Sequence, residues 1–174
     1  WKHLVVLGTV AISSFGVPGS VRADIITDWN TQELTRIRTT SMDPLCASRD
    51  LAILQVAMFD AINGVNREDA GFLVTQDAPA GTSMGATMAA VGLKVMSTLY
   101  GSNSAFTSLY DSQIASLTDS PAAISQGITW GNSVATAVIN ARATDGASSS
   151  NPAFSVSGIQ GEWAPTPPAF GSQP

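Results

Sequence analysis

Few residues in this chain could carry chemistry, and Asp60 is the first of them. It lies in the stretch ASRDLAILQVAMFDAIN, Ala47 to Asn63, whose apolar run is interrupted only by Gln55 and Asp60. A carboxylate among apolar side chains in mid-helix is costly unless it is hydrogen-bonded or paired. Asp60 is therefore either an acid working in or behind a reaction site, or a structural tie to a neighbouring backbone or arginine; the tie is the commoner use. Gln55 has the same two readings, a buried amide joining helices or a ligand contact. Asn63, near the expected helix end, reads as a capping residue. Arg49 and Arg142 could hold an anion, but surface ion pairing is their ordinary role.

The other constellations are missing from the sequence. Metal sites need His, Cys or clustered carboxylates, and the chain has one histidine, His3, and one cysteine, Cys46. A single cysteine forms no disulfide within the chain, and Cys46 beside an apolar helix reads as a small core residue. Without a histidine in the body of the chain, Ser-His-Asp or Cys-His catalysis lacks its base. Gly81-x-x-x-Gly85 lacks the lysine and the preceding strand of a phosphate loop. Trp29, Trp130 and Trp163 are far apart, with no basic residues interleaved for base stacking. No residue is thus assigned to catalysis, to a cofactor or to a metal.

The elements that would position these residues read as helices. A first helix is expected from Asp24 to Thr40, capped by Thr27 or Asp28, with Trp29, Leu34 and Ile37 as its apolar stripe. Asp43 is an N-cap and Pro44 a first helical residue for a second helix, which Gly64 should end after Asn63. That helix is apolar on nearly every side, so it is expected to be the buried central one. Val65 to Ser83 shows no period and reads as a loop. Thr82 or Ser83 caps a third helix to Tyr100, with Met88, Val91, Val95, Met96 and Leu99 inward. Asn103 or Ser104 starts a fourth, to about Leu117. Pro121 opens a fifth, to about Ala143, on which Gly127, Gly131 and Ala135 form a small-residue face for close helix packing. Gly146 to Asn151 is a Ser/Gly hinge, and the proline-rich tail favours extended backbone. The fold class is all-α, a bundle of about five helices, with 24–146 as the helical domain and 147–174 irregular.

Residues 1–23 resemble most of a secretory signal peptide: a short basic start at Lys2 and His3, an apolar run from Leu4 to Phe15, and a small-residue cleavage site before Asp24. The apolar run is too short to span a bilayer. Cleavage would leave six basic against 13 acidic residues, a net charge of about −7, which disfavours nucleic acid as a partner. The expected location is secreted or periplasmic, with no membrane span after cleavage. The start at Trp1 and the end at Gly171-Ser172-Gln173-Pro174 suggest a piece of a longer protein.

Three stretches together resemble the N-terminal half of vanadium-dependent haloperoxidase-like proteins, of the type 2 phosphatidic acid phosphatase superfamily. They are Asp28-Trp29-Asn30 with a helix ending at Ile37-Arg38, then Ala57-Met58-Phe59-Asp60-Ala61-Ile62-Asn63 (similar to AMYDAVN), then Gly161-x-Trp163-x-Pro165-Thr166-Pro167-Pro168 (similar to GxWxPTPP). Their order and rough spacing match the family over nearly all of Asp24 to Pro174. Gln55 departs from it, standing where many relatives carry His. The resemblance implies a catalytic half further along, in which basic segments and a Ser-Gly-His hold vanadate or phosphate, since a buried oxyanion needs several positive donors. None of those segments occurs in these 174 residues.

The leading expectation is a structural one for the chain and an enzymatic one for its parent. The chain would be the helical N-terminal segment of a secreted peroxidase- or acid phosphatase-like enzyme. Its partner would be the missing C-terminal catalytic half, vanadate would be the parent's cofactor, and a homo-oligomer would be possible. The chain alone would be inactive and, lacking part of its core partner, would expose apolar surface and associate. The rival is a self-contained secreted helical protein-binding module without catalysis.

Overall fold

The computed structural model describes residues 21–147, 159–161 and 164–167, with side chains from residue 25 onward. Five α-helices form it, and the described residues contain no strand. They are α1 (Val21–Thr40), α2 (Pro44–Asn66), α3 (Met84–Tyr100), α4 (Ser104–Ala115) and α5 (Pro121–Arg142). The all-α bundle of about five helices is thus the observed architecture.

Two compact units divide the chain, one ending at Arg142 and the other running from Ala143 to Pro174. The described part of the second unit is turn and irregular backbone, with Gly146 and Gly161 at positive φ. Residues 1–20 of the expected signal peptide, most of the Ser/Gly hinge, Trp163 and Pro168 lie outside the described residues. Among the described residues, no helix is long and apolar enough to cross a membrane.

The central helix is α3, not α2 as its composition suggests. α3 packs against each of the other four helices, and its first nine residues, Met84 to Gly92, are buried on every side. Small side chains make that possible. Gly127 on α5 rests on the Ser83 carbonyl and the Ala86 methyl, and Gly131 rests on the Thr87 carbonyl and the Ala90 methyl. A Cβ at either glycine would strike α3 backbone, so the α3–α5 pair is close because both faces are nearly bare. The small-residue face on α5 does what its spacing predicts. Counting apolar side chains favoured α2; Gly and Ala surrounded on all sides marked α3.

α2 buries one face only: Ile53, Leu54, Ala57, Met58 and Ala61 are covered, whereas Ala52, Gln55 and Phe59 face solvent. Its start agrees with the sequence. The Asp43 carboxylate accepts from the Leu45 and Cys46 N–H groups, and Pro44 occupies the first turn. Its end does not: Gly64 is buried inside the helix against the Trp130 ring, and Arg67, at φ 60°, closes the helix with its N–H on the Asn63 carbonyl. Gly64 is there for close packing, not for termination. α3 begins at Ser83, whose Oγ accepts from the Ala86 N–H. The same hydroxyl donates to Asp119 (2.6 Å), and the Ser83 N–H donates to the Ala123 carbonyl, so the starts of α3 and α5 are tied together.

α1 starts upstream of its expected caps. Thr27 and Asp28 lie inside the helix, which runs through the expected cleavage site. Its buried face is Ile25, Trp29 and Glu33, spaced four apart, while Leu34 and Ile37 are only half-buried. Trp29 is fully buried over Gly92, where a Cβ would collide with the indole, and meets Phe106 at 6.4 Å between ring centres. An acid therefore occupies a core position one turn after the tryptophan.

Candidate functional site

Asp60 is a structural clasp. It is fully buried on α2, and its carboxylate accepts from the backbone N–H groups of Phe72, Leu73 (2.9 Å) and Val74 (2.8 Å). Both oxygens are engaged, and the donors belong to the loop between α2 and α3. The negative charge is thus held by oriented peptide dipoles rather than by a cation. The loop is laced again further on: the Ala78 N–H donates to the Gly64 carbonyl, and Arg67 donates to the Ala78 carbonyl and pairs with Asp77 at 3.2 Å.

The other sequence candidates separate from Asp60. Gln55 does join helices, donating to the Asn30 side chain of α1, but it is exposed where a buried amide was expected. The reason is its position on the outer face of α2. Asn63 is buried in the last turn of α2 with its side-chain nitrogen unpartnered, and the C-cap is Arg67 instead. Arg49 pairs with Asp50 at 3.4 Å and donates to the Arg142 carbonyl at 2.9 Å, so the contact between the two arginines runs through the Arg142 backbone. Cys46 is exposed in the first turn of α2, not a core residue. Among the described residues no group of three or more His, Cys, Asp or Glu is placed to hold a metal.

The structure reveals a second buried acid. Glu33 is fully buried where α1 faces α3, and its Oε1 accepts from the Tyr100 hydroxyl at 3.2 Å. Its Oε2 is buried without a hydrogen-bond partner. Burial raises its pKa from the usual 4.5 to about 7; the Tyr100 hydrogen bond pulls it back in part, and the Asp50 charge pushes it up. Tyr100 is raised in turn by burial and by the Glu33 and Asp50 charges. The Arg36 guanidinium lies over the Tyr100 ring, 5.8 Å from its centre. The spacing Ile25, Trp29, Glu33 carried this signal, because an acid four residues after a buried tryptophan shares its face.

Gln113 on α4 completes the polar frame. It accepts from the Trp29 indole N–H at 3.0 Å and donates to Asp28 at 3.2 Å. A cavity of about 280 Å³ lies by α5, lined by Pro79, Ser125, Gln126, Thr129, Trp130 and Ser133. Its lining is uncharged and carries the hydroxyls of Ser125, Thr129 and Ser133. Trp130 is fixed beside it, its N–H donating to the Ala61 carbonyl at 3.1 Å. What these groups do together is hold helices and a loop in place. No protein-family model, curated protein or solved structure matches the chain.

Proposed function

We propose that the chain is a helical scaffold, the N-terminal segment of a secreted haloperoxidase-like or acid phosphatase-like enzyme whose oxyanion site lies in a further segment. The observation that carries this reading is the use made of Asp60. The most chemically suggestive residue of the AMFDAIN stretch has both carboxylate oxygens occupied by the loop at 72–74. The other motif behaves alike: Asp28 and Trp29 are bonded to Gln113, and Asn30 is bonded to Gln55. Residues in two of the three family-like stretches are spent on joining elements, which is what a wall of a larger site requires.

In this reading vanadate or phosphate is held by the further segment, and the chain supplies shape and rigidity. The test is to follow the coding sequence beyond Pro174, express the longest frame with vanadate, and assay bromide oxidation and phosphate-ester hydrolysis. A downstream Lys/Arg segment with Ser-Gly-His and either activity supports the scaffold. A stop codon close behind Pro174, with a stable product inactive in both assays, overturns it in favour of a self-contained binding module.

A further inference from the structure

Glu33 is the last fully buried residue of α1; from Leu34 to Thr40 every side chain is half-buried or exposed. The second half of α1 therefore reaches the fully buried core through one carboxyl group, with Leu34, Arg36 and Ile37 half-buried beyond it. That group has one hydrogen bond, from Tyr100 on α3, and one buried oxygen with none. Asp50 of α2 faces it with a like charge, and Arg49 behind Asp50 is directed to Asp50 and the Arg142 carbonyl. On α1 itself Arg36 is stacked over the Tyr100 ring, with its Nε buried and unpartnered. Tyr100 of α3 and Asp50 of α2 thus act on Glu33 directly, and Arg49 and Arg36 stand against Asp50 and the Tyr100 ring.

We propose that Glu33 is a proton-operated latch: protonated, it seats the second half of α1 against Tyr100 and Asp50, and ionised, it releases that half. A neutral carboxyl suits this setting because it brings no unpaired charge and has a proton to donate toward its acidic neighbour. An ionised one would be a buried anion beside a second carboxylate, with no cation bonded to it. Trp29 and Ile25 hold the first half of the helix in either state, since their burial does not depend on charge.

The direction follows from proton binding. The folded state holds the Glu33 proton more tightly than the unfolded chain, so docking is at full strength below pH 4.5 and weakens as pH rises to about 7. Above that, undocking of the segment is favoured by up to on the order of a hundredfold relative to acid.

The experiment is a carboxyl-carbon NMR titration of Glu33 in the whole chain, with amide hydrogen exchange at 33–40 measured against α5 from pH 5 to 8.5. The expected midpoint is near 7, with exchange at 33–40 rising relative to α5 up to about that pH and levelling above it, once intrinsic base catalysis is divided out. Glu33→Gln keeps the shape without the charge and should remove the excess. Tyr100→Phe removes the hydrogen bond that favours the carboxylate, so it should move the midpoint upward. A wild-type midpoint near 4.5, an exchange ratio that does not change with pH, or a Glu33→Gln variant that keeps the pH dependence each overturns the latch. The wild-type titration decides the matter even if a variant fails to fold.

Discussion

A buried carboxylate is tolerable in two ways, and this chain uses both. Asp60 is surrounded by donors, and Glu33 is raised toward the neutral form. The two acids should therefore respond differently to substitution. Asp60→Ala strips three backbone N–H groups, one buried and two part-buried, of their acceptor and should cost ~3 kcal/mol, because donors shielded from water are expensive to leave unmet. The loop at 67–83 should also become protease-sensitive, which limited proteolysis with mass mapping would reveal. Glu33→Gln should instead stabilise the protein at pH 8 and change little at pH 4.5, with a difference on the order of 3 kcal/mol by linkage. Urea melts of the two proteins at both pH values check this; equal curves at pH 8 would refute it.

Helix contacts in this bundle depend on what is missing from side chains. Gly92 makes room for the Trp29 indole, and Gly127 and Gly131 make room for α3 backbone. Gly92→Ala should destabilise by about 2 kcal/mol, since the methyl must displace a fully buried ring. Gly131→Ala should cost at least as much, since the atom in its way is the Thr87 carbonyl, which cannot rotate aside. Chemical denaturation of each variant gives the values. A neutral result at Gly131 would mean that α5 shifts freely on α3. By contrast Asp43→Ala should remove only the N-cap of α2, a loss of about 1 kcal/mol.

The first unit covers its own core. Trp29, Leu54, Met58, Met88, Met96, Val134 and Val138 are all nearly or fully buried, and few large apolar side chains stay exposed, chiefly Leu45, Phe59, Phe72 and Leu73. α2, expected to be buried on nearly every side, has only its inner face covered. The apolar surface left over is partly Phe72 and Leu73, on the loop that Asp60 clasps. Core and surface should diverge under truncation. Met88→Ala, in the fully buried first half of α3, should cost about 3 kcal/mol, while Phe72→Ser should change the melting midpoint very little because the ring is 67% exposed. Thermal melts of both variants test this; a large loss at Phe72 would mean that the ring is covered in solution.

Local chemistry was legible in the sequence. The Asp43-Pro44 start, the starts of α3 at Thr82 or Ser83 and of α4 at Asn103 or Ser104, the end of α3 at Tyr100, the helix count and the small-residue face of α5 all rest on interactions within a few residues or on a helical period. The cost of burying a charge made a structural tie, to backbone or to an arginine, the commoner of the two readings of Asp60; the structure supplies backbone donors. Which helix is central did not follow, because that depends on how closely neighbours approach, and Gly and Ala have low apolar weight but permit the closest approach. Nor did the end of α2, where Gly64 serves packing with Trp130, or the placement of Gln55 and Cys46 on the outside. Glu33 lay in view at the right spacing, but its buried oxygen and its Tyr100 and Asp50 neighbours come from helices distant in sequence. Only the assembled bundle removes water from that carboxyl, and the loss of water is what changes its chemistry.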